Sequence, residues 1–267
     1  RRCTLDNLPN LNHPKAKITF SHLPKTGGTS VRTVLRTFAK DRIQAMGHEH
    51  FVLAALEQPH NIFITMFREP TSRAISFYTY ANGVKKLSAA ASANPLWVAT
   101  HKASPANWSA NPFIQRTLYQ DPLGFFLRNI TNITDSITRF DYGKIQRLPE
   151  VPLKHFILND TLEDALSYTS NLPSEYQCKQ HLEVGLILLK HYEVVGVLEN
   201  TSEFYQVLFR RTNIRDSNTK KPHSNPSLVH LSPEDRLIME KNLEKPLFCA
   251  RVLWRIAGLI SKADAAC

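Results

Sequence analysis

A chain of 267 residues that is 42% hydrophobic and 21% charged has the makeup of a globular protein and lies outside the disordered and collagen-like classes. Lys and Arg outnumber Asp and Glu by 33 to 23, and a formal charge of +10 draws an anionic partner: a nucleotide, a sulfated glycan, nucleic acid or an acidic membrane face. No apolar run reaches the roughly 18 residues of a membrane helix, and an α/β chain of this length forms one unit, so a single domain over residues 1–267 is expected.

The chain opens Arg1-Arg2-Cys3-Thr4, with neither an initiator Met nor a signal peptide, and reads as the soluble portion of a longer protein. Residues 16–23 alternate apolar and polar side chains and run into Pro24-Lys25-Thr26-Gly27-Gly28-Thr29-Ser30, the pattern of a strand entering a glycine loop. Val31, Val34, Leu35 and Phe38 then recur at helical spacing, with Thr29 or Ser30 as the expected cap. A second apolar run, Ile62 to Phe67, suits a strand buried on both faces and ends in Arg68-Glu69-Pro70, with Pro70 opening a helix. Residues 83–122, rich in Ala, Ser, Asn and Pro, read as an irregular excursion over the sheet edge. Two further strands are expected at His155–Leu158 and Val194–Val197, the second followed by a helix with Phe204, Val207 and Leu208 on one face. Ser232 caps a helix whose first residue is Pro233; Pro246 interrupts the pattern, and Leu247 to Ile260 resumes it. Strands alternating with helices predict an α/β fold with a central, mostly parallel sheet flanked by helices.

Four cysteines (Cys3, Cys178, Cys249, Cys267) allow up to two disulfides, with Cys249 readable either as paired or as a buried thiol. Their spacing offers no zinc pattern. Sequons at Asn107, Asn129, Asn132, Asn159 and Asn200 point to a secretory, lumenal setting.

In the glycine loop, Gly27 and Gly28 clear side chains from a backbone that must approach a ligand, and N–H groups at a helix start form an anion nest. Lys25 and Thr26 precede the glycine pair, whereas the nucleotide-triphosphatase loop puts Lys-Ser/Thr after its last glycine. At the carboxyl end of the second strand stands Arg68, with Ser76 two helical turns on, a guanidinium and a hydroxyl suited to a phosphate monoester. A triphosphatase would want an Asp there to hold magnesium. Taken alone, Arg68 and Arg73 read more readily as partners of surface acids.

Leu23 to Ser30 together with Arg68-Glu69-Pro70 through Ser76 resemble the two donor-binding elements of the sulfotransferases that use 3′-phosphoadenosine 5′-phosphosulfate (PAPS), in the spacing usual for Golgi carbohydrate enzymes of the heparan and chondroitin type. The likeness extends more weakly to Val194–Glu199 and to Lys221–Ser227, covers about half of the chain and leaves out 83–180. It implies a P-loop-type sheet, Lys25 against the sulfuryl group, Thr26 among the donor-binding residues, the N–H groups of Gly27, Gly28, Thr29 and Ser30 around the 5′-phosphate, and Arg68 and Ser76 on the 3′-phosphate. It implies no metal. The acceptor hydroxyl must lose a proton, and in Met46-Gly47-His48-Glu49-His50 the resemblance makes His48 the base, with His50 second. His22 reads as structural. The expected partner is a glycan, an anionic polysaccharide and not nucleic acid, in the Golgi lumen, with a membrane anchor preceding this portion of the chain. Lys85, Lys86, Arg210 and Arg211 are nominees for acceptor contacts. Two rivals remain: a nucleotide kinase, and a non-enzymatic polyanion-binding module that needs no donor pocket and would not bind the product 3′-phosphoadenosine 5′-phosphate (PAP).

Overall fold

The computed structural model describes residues 16–38, 41, 43–47, 61–84, 88–118, 178, 181, 184–185, 192–212 and 230–266. In chain order the elements are β1 (Lys17–Ser21), α1 (Gly28–Phe38), β2 (Ile43–Gly47), β3 (Asn61–Phe67) and α2 (Pro70–Gly83). Short helices follow: α3 (Ala89–Ser92), α4 (Pro95–Thr100), α5 (Pro105–Ala110) and α6 (112–118). The last elements are β4 (Val194–Val197), a 3-10 turn at Leu198–Asn200, α7 (Thr201–Thr212), α8 (Pro233–Glu244) and α9 (Phe248–Ala265). Among the described residues no helix is long and apolar enough to cross a membrane.

The four strands form one parallel sheet in the order β2-β1-β3-β4, flanked by helices, an α/β architecture. Parallel pairing brings every carboxyl end to the same edge: Ser21 lies opposite both Gly47 and Thr65, and Phe67 opposite Val197. The chain runs from β1 outward to β2 and then returns to the other side of β1 for β3. The order therefore reverses between β1 and β3, the place in an open α/β sheet where the departing connections leave a crevice.

The expected double-sided burial of the second strand is seen: all seven residues of β3 are buried. Ile18 and Phe20 of β1, Ile62, Ile64 and Met66 of β3 and Val194 of β4 form one core face, covered by Val31, Val34 and Leu35 of α1 and by Phe204, Val207 and Leu208 of α7. A second core joins Ala74 and Tyr78 of α2 to Trp108, Ile114 and Leu118 and to Met239 and Leu243 of α8. Trp108 is 1% exposed and donates its indole N–H to Thr100 Oγ1 at 2.8 Å.

The segment read as an irregular excursion is largely helical, and the caps explain why. Asn94, Ser104 and Asn111 each accept an N–H of the turn that follows, at Leu96, Asn107 and Phe113, and each precedes a proline. Side-chain oxygen at the cap and fixed φ at the first position together start a helix. Composition suggested a loop; the three Asn/Ser-Pro pairs decide for helix. Helix α1 likewise starts two or three residues earlier than a cap at Thr29 or Ser30 implies, so both stand inside its first turn and do not precede it. Ser232 caps α8 by accepting from Asp235 N at 3.0 Å, as its sequence indicates. Cys249, at the start of α9, is disulfide-bonded to Cys178, which settles the choice between pairing and a buried thiol. The strand expected at His155–Leu158 lies outside the described residues.

Candidate functional site

The loop between β1 and α1 is held by its own side chains. Thr26 is fully buried and its hydroxyl donates to Leu23 O at 2.8 Å, closing the turn from within. Gly27 has φ +83, a conformation that favours glycine, and a Cβ there would also press on the end of the Leu198 side chain, 2.6 Å from its Cδ1. Gly28 lies directly against the His22 ring, which is 7% exposed and stacked on Phe20. His22 is thus a packing residue. With Ser30 N bonded to Gly27 O at 3.0 Å, the N–H groups of Gly28 and Thr29 begin the helix without an intrahelical acceptor and face the carboxyl edge of the sheet.

Lys25 is the unusual residue of the loop. Its φ of 65 puts a lysine in the left-handed region, a conformation that costs about 1 kcal/mol for a residue with a Cβ. Its ammonium lies 4.0 Å from the centroid of the Tyr80 ring on α2. The two motifs meet here: Arg68, just beyond β3, donates Nη1–H to Lys25 O at 3.4 Å. Tyr80 is four residues beyond Ser76, so the helix face that meets Lys25 is the one that carries Ser76.

Acidic residues nearby have other tasks. Glu69 caps α2, accepting from Thr71 N at 3.0 Å and Ser72 N at 2.6 Å, and pairs with Arg251 of α9 at 3.6 Å. Glu199 accepts from Glu69 N at 3.0 Å and from Trp254 Nε1 at 3.1 Å, tying the ends of β3 and β4 to α9. Burial pushes the Lys25 ammonium below the ordinary lysine range, and the charge of Arg68 pushes it further in the same direction. Burial also lowers Arg68, with Glu199 and Glu69 pulling the other way. Half-buried cations side by side destabilise each other unless an anion joins them. A cavity under Arg68, lined by Leu23, Thr26, Phe67, Arg73 and Trp254, has a volume of about 10 Å³, the space of one water at most.

The structure therefore brings Lys25, Thr26, Gly27, Gly28, Thr29, Ser30 and Arg68 to one edge, with Ser76 on the helix face opposite the loop. Only the backbone of Thr26 is on offer, since its hydroxyl is used inside the turn. β2 ends at Gly47 on the same edge; His48 and His50 lie outside the described residues, as do Lys85 and Lys86. Arg211 is corrected: it is 5% exposed and pairs with Asp264 of α9 at 3.4 Å, so its guanidinium is not a surface charge. Arg210 donates to the Asp264 carbonyl. The apolar stripe of α7 carries both arginines toward α9, which their position in a basic pair conceals.

Comparison with family models, with curated proteins and with solved structures gives no match. What the site can do follows from its geometry. Two cations and two helix N–H groups converge on one small region at a sheet switch point, a combination that holds a multiply charged anion and stabilises charge growing on a leaving oxygen. Sequence reasoning passed over Tyr80, Glu69 and Glu199. The i, i+4 spacing from Ser76 was signal enough for Tyr80; Glu199 required knowing that β4 lies beside β3.

Proposed function

We propose that the chain is a PAPS-dependent O-sulfotransferase with a P-loop-type sheet, acting on a hydroxyl of a glycan. The observation that carries the reading is the meeting of Lys25, in a left-handed conformation, with Arg68 at the start of α1, where Glu69 caps α2 and Glu199 accepts from Trp254. Strain retained in a loop that could have used glycine is a mark of a functional position.

In this reading the Gly28 and Thr29 N–H groups hold the 5′-phosphate, Arg68 and Ser76 hold the 3′-phosphate, and Lys25 lies against the sulfuryl group. The acceptor oxygen attacks sulfur in line; the new O–S bond forms as the bond from sulfur to the 5′-phosphate oxygen breaks. The proton of the hydroxyl passes to His48, which follows Gly47 at the carboxyl edge, with His50 as the second choice. Charge grows on the departing phosphate oxygen, and Lys25 and the helix N–H groups offset it without a metal ion. The product left behind is PAP.

A lumenal setting draws support from two features. Cys178 and Cys249 form a disulfide, and the sequon residues Asn107 and Asn200 are both exposed. The site is tested by transfer of labelled sulfate from PAPS to a panel of heparan and chondroitin precursors. His48→Ala is expected to remove most of the rate and leave PAP binding intact. Loss of rate in His50→Ala alone would move the base to His50; no transfer to any hydroxyl acceptor, with magnesium-dependent use of ATP instead, would replace this reading with a kinase.

A further inference from the structure

We propose that Tyr80 is a positioning residue for Lys25, its ring holding the lysine ammonium where the sulfuryl group of the donor is received. The inference deepens the sulfotransferase reading and rests on it. A lysine side chain has four rotatable bonds and no intrinsic preference for one direction. In this loop the left-handed backbone of Lys25 sends it toward α2, and the ammonium ends 4.0 Å above the Tyr80 ring. A cation over an aromatic face is attracted by the ring's quadrupole, and more so when partly removed from water, as Lys25 is.

The ring is itself held in place. Trp97 of α4 meets it edge-on, 5.7 Å between centroids at 74°, and Trp97 in turn meets Phe77 at 5.3 Å and 76°. Helix α4 is fastened to α2 around Asn82, which donates to Thr100 O at 3.0 Å and accepts from Lys102 N at 2.6 Å, while Tyr78 donates to Ala103 O at 2.6 Å. The run of short helices thus has a task in the site: it braces the helix face on which Lys25 rests. Yet Tyr80 is 46% exposed, so the core does not need it. A ring that is held in place, reachable from solvent and set under a strained lysine is there for the lysine.

The test is calorimetric titration with PAPS and with PAP, without acceptor, so that no transfer occurs. PAPS carries the sulfuryl group and PAP lacks it, so the ratio of the PAP to the PAPS dissociation constant reads the contact made by Lys25, and Lys25→Ala gives its floor. Tyr80→Leu is expected to lower the ratio by about three- to tenfold, toward that floor, with PAP affinity unchanged. Tyr80→Phe, which keeps the aromatic face, is expected to restore it. Tyr80→Gln repeats the ring removal on a polar side chain should the leucine variant fold poorly. If the wild type binds both nucleotides and the ring-free variants keep its ratio, Tyr80 does not position Lys25 and the donor reading stands. If the wild type binds neither nucleotide, the donor reading fails and this inference fails with it.

Discussion

Replacing Gly28 by alanine is expected to destabilise the protein through a single contact. A Cβ at position 28 would stand 1.9 Å from Cδ2, 2.0 Å from Nε2 and 2.5 Å from Cγ of His22. Carbon atoms in contact sit about 3.5–4.0 Å apart, so the ring would have to retreat by roughly 1.5 Å. It has little room, being 7% exposed and stacked on Phe20 with centroids 5.6 Å apart. Overpacking of this kind costs about 1–3 kcal/mol, against up to about 1 kcal/mol that alanine gains over glycine within a helix. The expected net loss is about 1–2 kcal/mol in urea unfolding followed by far-ultraviolet circular dichroism. In a His22→Ala background the clash is gone, and the same substitution should become neutral or slightly stabilising. Equal losses in both backgrounds, or no loss in the wild type, would refute the assignment of Gly28 to His22 packing.

Three further outcomes follow from the same geometry. Asp264→Ala leaves the Arg211 guanidinium buried without the carboxylate it now has at 3.4 Å, and the expected loss is about 3–5 kcal/mol in thermal or urea unfolding; an unshifted transition would contradict a buried ion pair. Reducing the Cys178–Cys249 bond, whose ends are 71 residues apart, frees a long loop in the unfolded chain and should lower stability by about 4 kcal/mol on the loop-entropy estimate, read as a fall in the urea midpoint that Cys249→Ser reproduces. An anion bound against Lys25 raises the affinity of its ammonium for the proton, so PAPS binding takes up protons and PAPS affinity falls as pH rises. Because burial and Arg68 lower the free Lys25 ammonium, that fall should set in below the ordinary lysine value of 10.5, and Lys25→Ala should flatten it.

Much of the framework could be read from residue order. The apolar run Ile62–Phe67, the helical spacing of Val31, Val34 and Leu35, and the Ser232-Pro233 start are local patterns, and local patterns survive folding. The meeting of the glycine loop with Arg68 was legible as well, since both follow strands and parallel strands end at one edge. Other features depend on pairings distant in sequence. Nothing near Arg211 announces Asp264, which is the penultimate residue of α9, and nothing near Glu69 announces Glu199. Residues 88–118 were misread because composition outweighed position: alanine, serine, asparagine and proline suggest a loop in bulk, but each proline sits just after a capping side chain. With that order recognised, the segment becomes the brace that brings Trp97 to Tyr80.

The central claim is that the carboxyl edge of this sheet is a site for PAPS, and calorimetric titration with PAP, with ATP as the control, tests it most directly. The account predicts that PAP binds, that ATP does not compete, and that Lys25→Ala and Arg68→Ala each weaken binding or donor use. Absence of PAP binding by the folded wild type, or binding unaffected by both substitutions, would contradict it and return the +10 charge to the reading of a polyanion-binding module.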